Sequence, residues 1–201
     1  MQLKPGESGI LKTFAGKDVD VKKWVYTEIS GDQTALNEGW KFSFINSEPA
    51  IDQTFQLDSL GSWTELDNAT VIKNMGTGRY SITFPFKKNE NSEYLQSLGD
   101  VRESARVTVN GKDAGVLFAV PFETRIGSLL EEGKNTIEID VTNLPTNRIA
   151  DYDRNGVEWR IFKEINFVNI KYKATLYDNW GKISSGLLGP IFIKELTIKK
   201  P

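Results

Sequence analysis

Hydrophobic and polar residues alternate with a period of two along the middle of this chain. Residues 80–84 (YSITF), 105–109 (ARVTV) and 137–141 (IEIDV) all show this pattern. Such alternation places one face of a strand in a core and the other in water. Asn110-Gly111 follows the second run and favours a tight turn, because positive φ costs little at these residues. Several short strands separated by turns predict an all-β fold, an antiparallel β-sandwich.

Shorter segments of the same kind predict the remaining strands. They are residues 40–45, 55–57, 94–98, 116–118, 122–126, 172–177 and 187–198. Pro190 lies in the last of these strands and predicts an edge position or a bulge, because proline cannot donate to the ladder. The other stretches predict a linker around 31–33, loops over 60–64 and 145–156, an irregular stretch over 158–170 and a turn at 178–181.

The domain organisation follows from these segments. We expect residues 36–201 to form one β-sandwich domain. Residues 1–35 are expected to be a lead-in segment or edge strands from a preceding domain, with an aromatic strand fragment at residues 24–26. A chain of 201 residues suits one large domain.

Composition excludes several functional classes. The net charge of −2 gives no electrostatic footprint for nucleic acid, and no apolar run approaches the length of a membrane span. The chain contains no cysteine and no histidine. A disulfide framework, a zinc–thiolate site and a Ser-His-Asp triad are therefore excluded. The chemistry that remains is a carboxylate pair, a Ser-Lys arrangement or a hard metal bound through oxygen.

Four sequence pieces carry a family resemblance. They are L-G-x-V from Leu98, A-x-V-x-V-N-G from Ala105, P-F at Pro121 and G-x-N-x-I-x-I-x-V-x-N from Gly133. Four shorter pieces, "SWTEL", "GTGRYSITF", "NR" and "SGLLGP", extend the resemblance over roughly residues 36–199. Together they resemble the sugar-binding jelly-roll (galactose-binding-like) domain of family 2 glycoside hydrolases. They also resemble the related domain of α-L-rhamnosidase-like hydrolases.

The resemblance implies a functional context. It implies a non-catalytic accessory domain of a polysaccharide-degrading glycoside hydrolase, which binds a plant or bacterial glycan or braces the catalytic domain of its parent chain. Residues 1–6 lack the apolar stretch of a signal peptide, so the chain is either a cytosolic protein or a domain of a longer secreted or periplasmic protein. The resemblance favours the second, because it implies a domain within a much larger protein. Two alternatives are a purely structural packing module and a small stand-alone glycosidase that uses a carboxylate pair. No cofactor is expected.

The loops at one end of the predicted sandwich supply a candidate ligand site. If successive strands alternate in direction, the segments 99–103, 118–120 and 144–158 meet at the same end. A sugar needs a flat apolar face and planar polar groups that pair with hydroxyls. The candidate ligand-binding residues are Arg79, Arg102, Glu103, Arg148, Asp151, Asp153, Trp159 and Trp180.

Structural roles are the alternative for most of these residues. Trp40, Trp63 and Trp159 are more typical of core or loop-anchoring positions, and Arg148 with Asp151 is typical of a partly buried ion pair. Residues 151–156 (DYDRNG) also match the first half of a calcium loop. The twelfth position of that loop is Phe162 rather than glutamate, so a charged turn is the default and structural calcium is a minor alternative.

Overall fold

The computed structural model describes residues 3, 9–16, 18–20, 26–161, 171 and 175–199, without the side chains of residues 31 and 32. Twelve strands are the main regular elements of this part of the chain. They are β1 Thr27–Ala35, β2 Trp40–Glu48, β3 Thr54–Leu57, β4 Met75–Phe86, β5 Ser92–Ser97, β6 Asp100–Arg102, β7 Ser104–Val109, β8 Lys112–Leu117, β9 Glu123–Arg125, β10 Gly133–Thr142, β11 Gly186–Gly189 and β12 Phe192–Ile198. The helical elements are a 3₁₀ turn at Trp63–Glu65, α1 Ala69–Ile72 and α2 Thr146–Arg154.

Two antiparallel sheets stack to form the sandwich. One sheet has six strands in the order β3-β2-β4-β10-β7-β8, and the other has four in the order β1-β12-β5-β9. β11 and β6 form a third, two-stranded sheet. The all-β sandwich predicted from the alternating pattern is therefore confirmed. No helix in the described ranges is long and apolar enough to cross a membrane.

The core consists of the residues that the period-two pattern placed on one face. Ile137, Ile139 and Val141 of β10 are fully buried, and Tyr80 of β4 lies opposite Ile139 in the ladder. Trp40 and Trp63 are also buried, which confirms the core role expected for them. The Tyr80 hydroxyl accepts a hydrogen bond from the Leu187 N–H at 3.1 Å, and burial raises the pKa of that hydroxyl.

The Asn110-Gly111 turn connects β7 to β8 as predicted. Asn110 has φ of 50° and Gly111 has φ of 76°, so both lie in the left-handed region. The Asn110 side chain also donates to Leu129 O at 2.9 Å and accepts from the Thr136 N–H at 2.9 Å. These bonds tie the turn to the start of β10, at the end of the sandwich opposite α2.

The structure corrects several predicted segments. Residues 145–156 contain α2 rather than a polar loop, because Asn147 and Ala150 are buried one turn apart and anchor the helix. The stretch 31–33 lies inside β1 and is not a linker. The 3₁₀ turn begins inside the predicted loop 60–64, and α1 was not predicted; the side chains of Ser62 and Asn68 cap these two elements.

The last predicted strand, 187–198, is two strands. Pro190 separates β11 from β12, and the two pair in different sheets because proline interrupts the ladder. Most of the predicted edge fragment at 24–26 and most of the irregular stretch 158–170 lie outside the described residues. Of the predicted strand 172–177, residues 172–174 also lie outside them, and residues 175–177 are not in a strand. β1, from the predicted lead-in segment, pairs with β12 at the edge of the four-stranded sheet.

Candidate functional site

The predicted rim segments meet at one end of the sandwich. Thr142, the last residue of β10, pairs with Ser104 at the start of β7 and with Thr77 near the start of β4. The segment before β7 and the helix after β10 therefore lie at the same end. The Glu103 N–H donates to Thr142 O at 2.8 Å and fixes the first of these segments.

An open groove lies on the β7–β8 side of this end. We call it the rim groove; residues 99–103 form one wall and residues 118–120 with Phe122 form the other. Its volume is about 590 Å³. Phe118 is 80% exposed and Val120 is 75% exposed, so the second wall presents apolar surface to solvent.

The first wall of the rim groove is charged. Arg102 Nη2 donates to Asp100 Oδ2 at 2.7 Å, and this hydrogen bond raises the pKa of the guanidinium. Arg102 and Glu103 are both exposed. The groove therefore combines a free aromatic side chain with a guanidinium and carboxylates, the groups that a sugar ring and its hydroxyls require.

The backbone fixes the shape of the rim groove. The Leu98 N–H donates to Phe122 O at 2.9 Å, which ties the bases of the two walls together. Gly99 has φ of 67° and forms a bridge with Gly189. A Cβ at position 99 would overlap the Gly189 carbonyl group, so the close approach requires glycine.

On the other side of β10, Arg148 attaches α2 to the sandwich. Its guanidinium donates to Glu48 at 2.7 Å and to Asp151 at 2.9 Å, and it lies over the Tyr152 ring at 4.3 Å. Burial lowers the pKa of Arg148, but hydrogen bonds with Glu48 and Tyr152 outweigh this effect and raise it. Lys73 also pairs with Asp151 at 3.4 Å.

Asp153 anchors the chain that follows α2. Its side chain is 2% exposed. It accepts hydrogen bonds from Trp159 Nε1 at 2.7 Å, the Tyr177 N–H at 2.7 Å and the Arg160 guanidinium at 3.0 Å. Burial raises the pKa of the carboxylate, but these hydrogen bonds outweigh it and lower the pKa to about 2.

The remaining candidates have separate positions. Arg79 lies within β4 and pairs with Asp140 across the ladder, where its Nε donates at 2.7 Å and the hydrogen bond raises the pKa of Arg79. Trp180 is 42% exposed and packs on Tyr177 at a centroid distance of 4.4 Å. Arg79 is thus on the sheet rather than at the rim, because its strand places it opposite Asp140.

Apart from Arg79, the predicted site divides into two groups. Arg102 and Glu103 line the rim groove, whereas Arg148, Asp151, Asp153, Trp159 and Trp180 belong to α2 and the segments that it anchors. Sequence reasoning placed Phe118 and Val120 near the rim but did not include them among the ligand-binding residues. The sequence signal that could have identified them is the presence of two large apolar residues in a predicted connection, just before Pro121.

The half calcium motif does not form a loop here. Asp151 and Asp153 are helical residues, and their carboxylates already accept from Arg148 and Arg160. In the described ranges, no three carboxylates are grouped so as to hold a metal ion.

Comparisons with known proteins give the fold a context. No family model matches the sequence. A curated protein of Formosa agariphila, named "Putative beta-glucuronidase", is 28% identical over 221 residues, which cover 98% of this chain but 19% of that protein. The resemblance to a domain of larger glycoside hydrolases is confirmed. This chain spans about a fifth of the length of that relative.

Solved structures agree with this result at the level of the fold. A rhamnosidase from Novosphingobium sp. PP1Y has a TM-score of 0.64 and 24% identity, with 90% of this chain and 16% of that chain covered. A β-D-glucuronidase from Dictyoglomus thermophilum has a TM-score of 0.57 and 16% identity, with 88% and 29% covered. In both, the matching sandwich is a small part of a longer enzyme.

Proposed function

We propose that this chain is an accessory domain of a larger, secreted or periplasmic glycoside hydrolase, and that it binds glycan in the rim groove. The observation that carries the proposal is that exposed Phe118 lines the same groove as Arg102 and Glu103. The small share of each longer relative that the chain covers supports the accessory role.

Each wall of the rim groove has a distinct role in this proposal. The Phe118 ring covers the C–H face of a sugar ring, and Val120 extends that apolar wall. Arg102 and Glu103 pair with hydroxyl or carboxylate groups on the other side. Asp100 holds the guanidinium of Arg102 in place, so little side-chain entropy is lost on binding.

The relatives suggest which glycans to test. Because two are named as β-glucuronidases and one as a rhamnosidase, we propose glycans that contain glucuronic acid or rhamnose. A glucuronate carboxylate would pair with guanidinium N–H groups of Arg102 other than the one that Asp100 accepts from, and binding would then weaken as the salt concentration rises.

Isothermal titration calorimetry with oligosaccharides of both kinds, and with neutral controls, tests the proposal. We expect weak binding that Phe118→Ala and Arg102→Gln each reduce at least about fivefold, or about 1 kcal/mol. Trp180→Ala is the matched aromatic control outside the rim groove. Absence of heat with every oligosaccharide, or loss of binding only in Trp180→Ala, would refute binding in the rim groove.

An aryl-glycoside assay on the same purified chain tests the alternative of a stand-alone glycosidase. Under the accessory proposal, no hydrolysis is expected. Sustained turnover that disappears when a groove carboxylate such as Glu103 is changed to glutamine would favour the enzyme instead.

A further inference from the structure

The described residues between α2 and β11 expose several large apolar side chains that the rim groove does not use. We call residues 157–161 and 175–183 the anchored segment. Its exposed large apolar side chains are Val157 at 45%, Ile161 at 88%, Leu176 at 59%, Trp180 at 42% and Ile183 at 45%. Their summed exposed area is on the order of several hundred Å², and exposed apolar area on this scale often marks contact surfaces.

The polar side chains of α2 hold the backbone of this segment. Asn147 accepts from the Ile183 N–H at 2.9 Å and donates to Ile183 O at 2.7 Å. Arg154 donates to Asp178 O at 2.7 Å and also to Trp180 O. Together with Asp153, which accepts from the Tyr177 N–H, Asn147 and Arg154 therefore hydrogen-bond to the backbone of the segment from α2.

The result is a fixed surface whose polar bonds are satisfied from within the domain. Arg160 lies over the Trp159 ring at 4.4 Å, so this cation is also directed inward. Apolar side chains that are held in place and turned outward lose little entropy when another surface covers them. A loop that served only as a connection would not need these anchors.

We propose that the anchored segment docks against the catalytic domain of the same parent chain. This inference rests on the accessory role proposed above. The match covers 19% of the Formosa agariphila relative and 16% of the rhamnosidase, so most of each relative lies outside the sandwich. Under the accessory proposal, the rest of the parent chain supplies the domain that covers this surface. Interfaces between domains of one chain bury roughly 600–1,500 Å², and the exposed apolar cluster supplies a large part of one side.

Hydroxyl-radical footprinting of the complete native polypeptide that contains residues 1–201 tests this docking. Oxidation of each side chain is read by mass spectrometry and normalised to the same residue in the unfolded polypeptide. We expect Ile161, Leu176 and Trp180 to be oxidised severalfold more slowly than Phe118 and Val120, although Ile161 is 88% and Phe118 80% exposed in the domain alone. Equal normalised rates would refute the docking.

A pair of variants separates docking from other causes of protection. Ile161→Ser with Trp180→Ser should restore rapid oxidation of Leu176, whereas Phe118→Ser should leave Leu176 protected. Protection that survives the double serine variant would contradict the proposal.

Added oligosaccharide separates this inference from the proposed function. Glycan that protects Phe118 but not Trp180 supports both proposals, and glycan that protects neither refutes the groove proposal alone. Glycan that protects Trp180 in the 201-residue chain would identify the anchored segment as a sugar platform and overturn the docking.

Discussion

The rim groove and the anchored segment lie at the same end of the sandwich and use the same kinds of residues in opposite ways. In the groove, Arg102 and Glu103 are exposed beside the free ring of Phe118. At the anchored segment, Arg160 pairs with the buried carboxylate of Asp153 in α2, and the large apolar side chains remain exposed. The bonding partner of each charged group, rather than its residue type, distinguishes a binding wall from an anchor.

The largest effect is expected from Gly99→Ala in the rim groove. The added Cβ would overlap the Gly189 carbonyl, and the residue has positive φ. We expect a loss of roughly 3 kcal/mol or more in the free energy of unfolding, together with loss of glycan binding. Chemical denaturation measures the first effect and calorimetric titration the second.

Gly111→Ala is the matched control for that glycine. Its φ is 76°, but nothing lies within 4 Å of the added Cβ. Only backbone strain of about 1–2 kcal/mol is expected, and binding should be retained. Equal losses in the two variants would show that close approach does not shape the groove.

Asp153→Asn is the corresponding test in the anchored segment. It removes a buried charge that faces Arg160 and should weaken the local stability of the segment by about 3 kcal/mol. Hydrogen exchange should accelerate at residues 157–161 and 175–180 and stay unchanged at 99–103. Asp178→Asn, at an exposed position of the same segment, should change neither; faster exchange in both variants would contradict a specific anchor.

Acid should loosen the anchored segment when the Asp153 carboxylate becomes protonated. The pKa of Asp153 falls from 3.8 to about 2 on folding, so its contribution is complete above about pH 4 and is lost as the pH falls toward 2. Faster exchange at Tyr177 over that range, missing in Asp153→Asn, is the expected result. The same pH dependence in both proteins would refute the assignment to Asp153.

The smallest change in the free energy of unfolding is expected for Arg102→Gln. Arg148→Gln is the variant with which it is compared. The Arg102 side chain is 44% exposed and pairs with Asp100, so stability should change by less than about 1 kcal/mol. The Arg148 side chain is 12% exposed and holds Glu48 and Asp151, so its loss should cost about 3 kcal/mol. Thermal unfolding of the two variants compares them directly; similar values would contradict the division between groove and anchor.

Much of the fold could be predicted from local patterns. The alternation in β4, β7 and β10 identified the buried face, and Asn110-Gly111 identified the turn between β7 and β8. α2 was missed because only Asn147 and Ala150 are buried in it, which leaves a weak helical pattern in a polar stretch. The division of residues 187–198 between two sheets depends on partners that are distant in sequence.

The sequence by itself determined the all-β sandwich, the end at which its irregular segments meet, and the resemblance to domains of glycoside hydrolases. These follow from side-chain alternation and turn residues, which act over a few positions. Only the tertiary structure decided that Arg102 lines a groove with Phe118, whereas Asp153 is an anchor. That distinction depends on which groups lie within hydrogen-bond distance of each side chain. Packing between segments that are distant in sequence decides this.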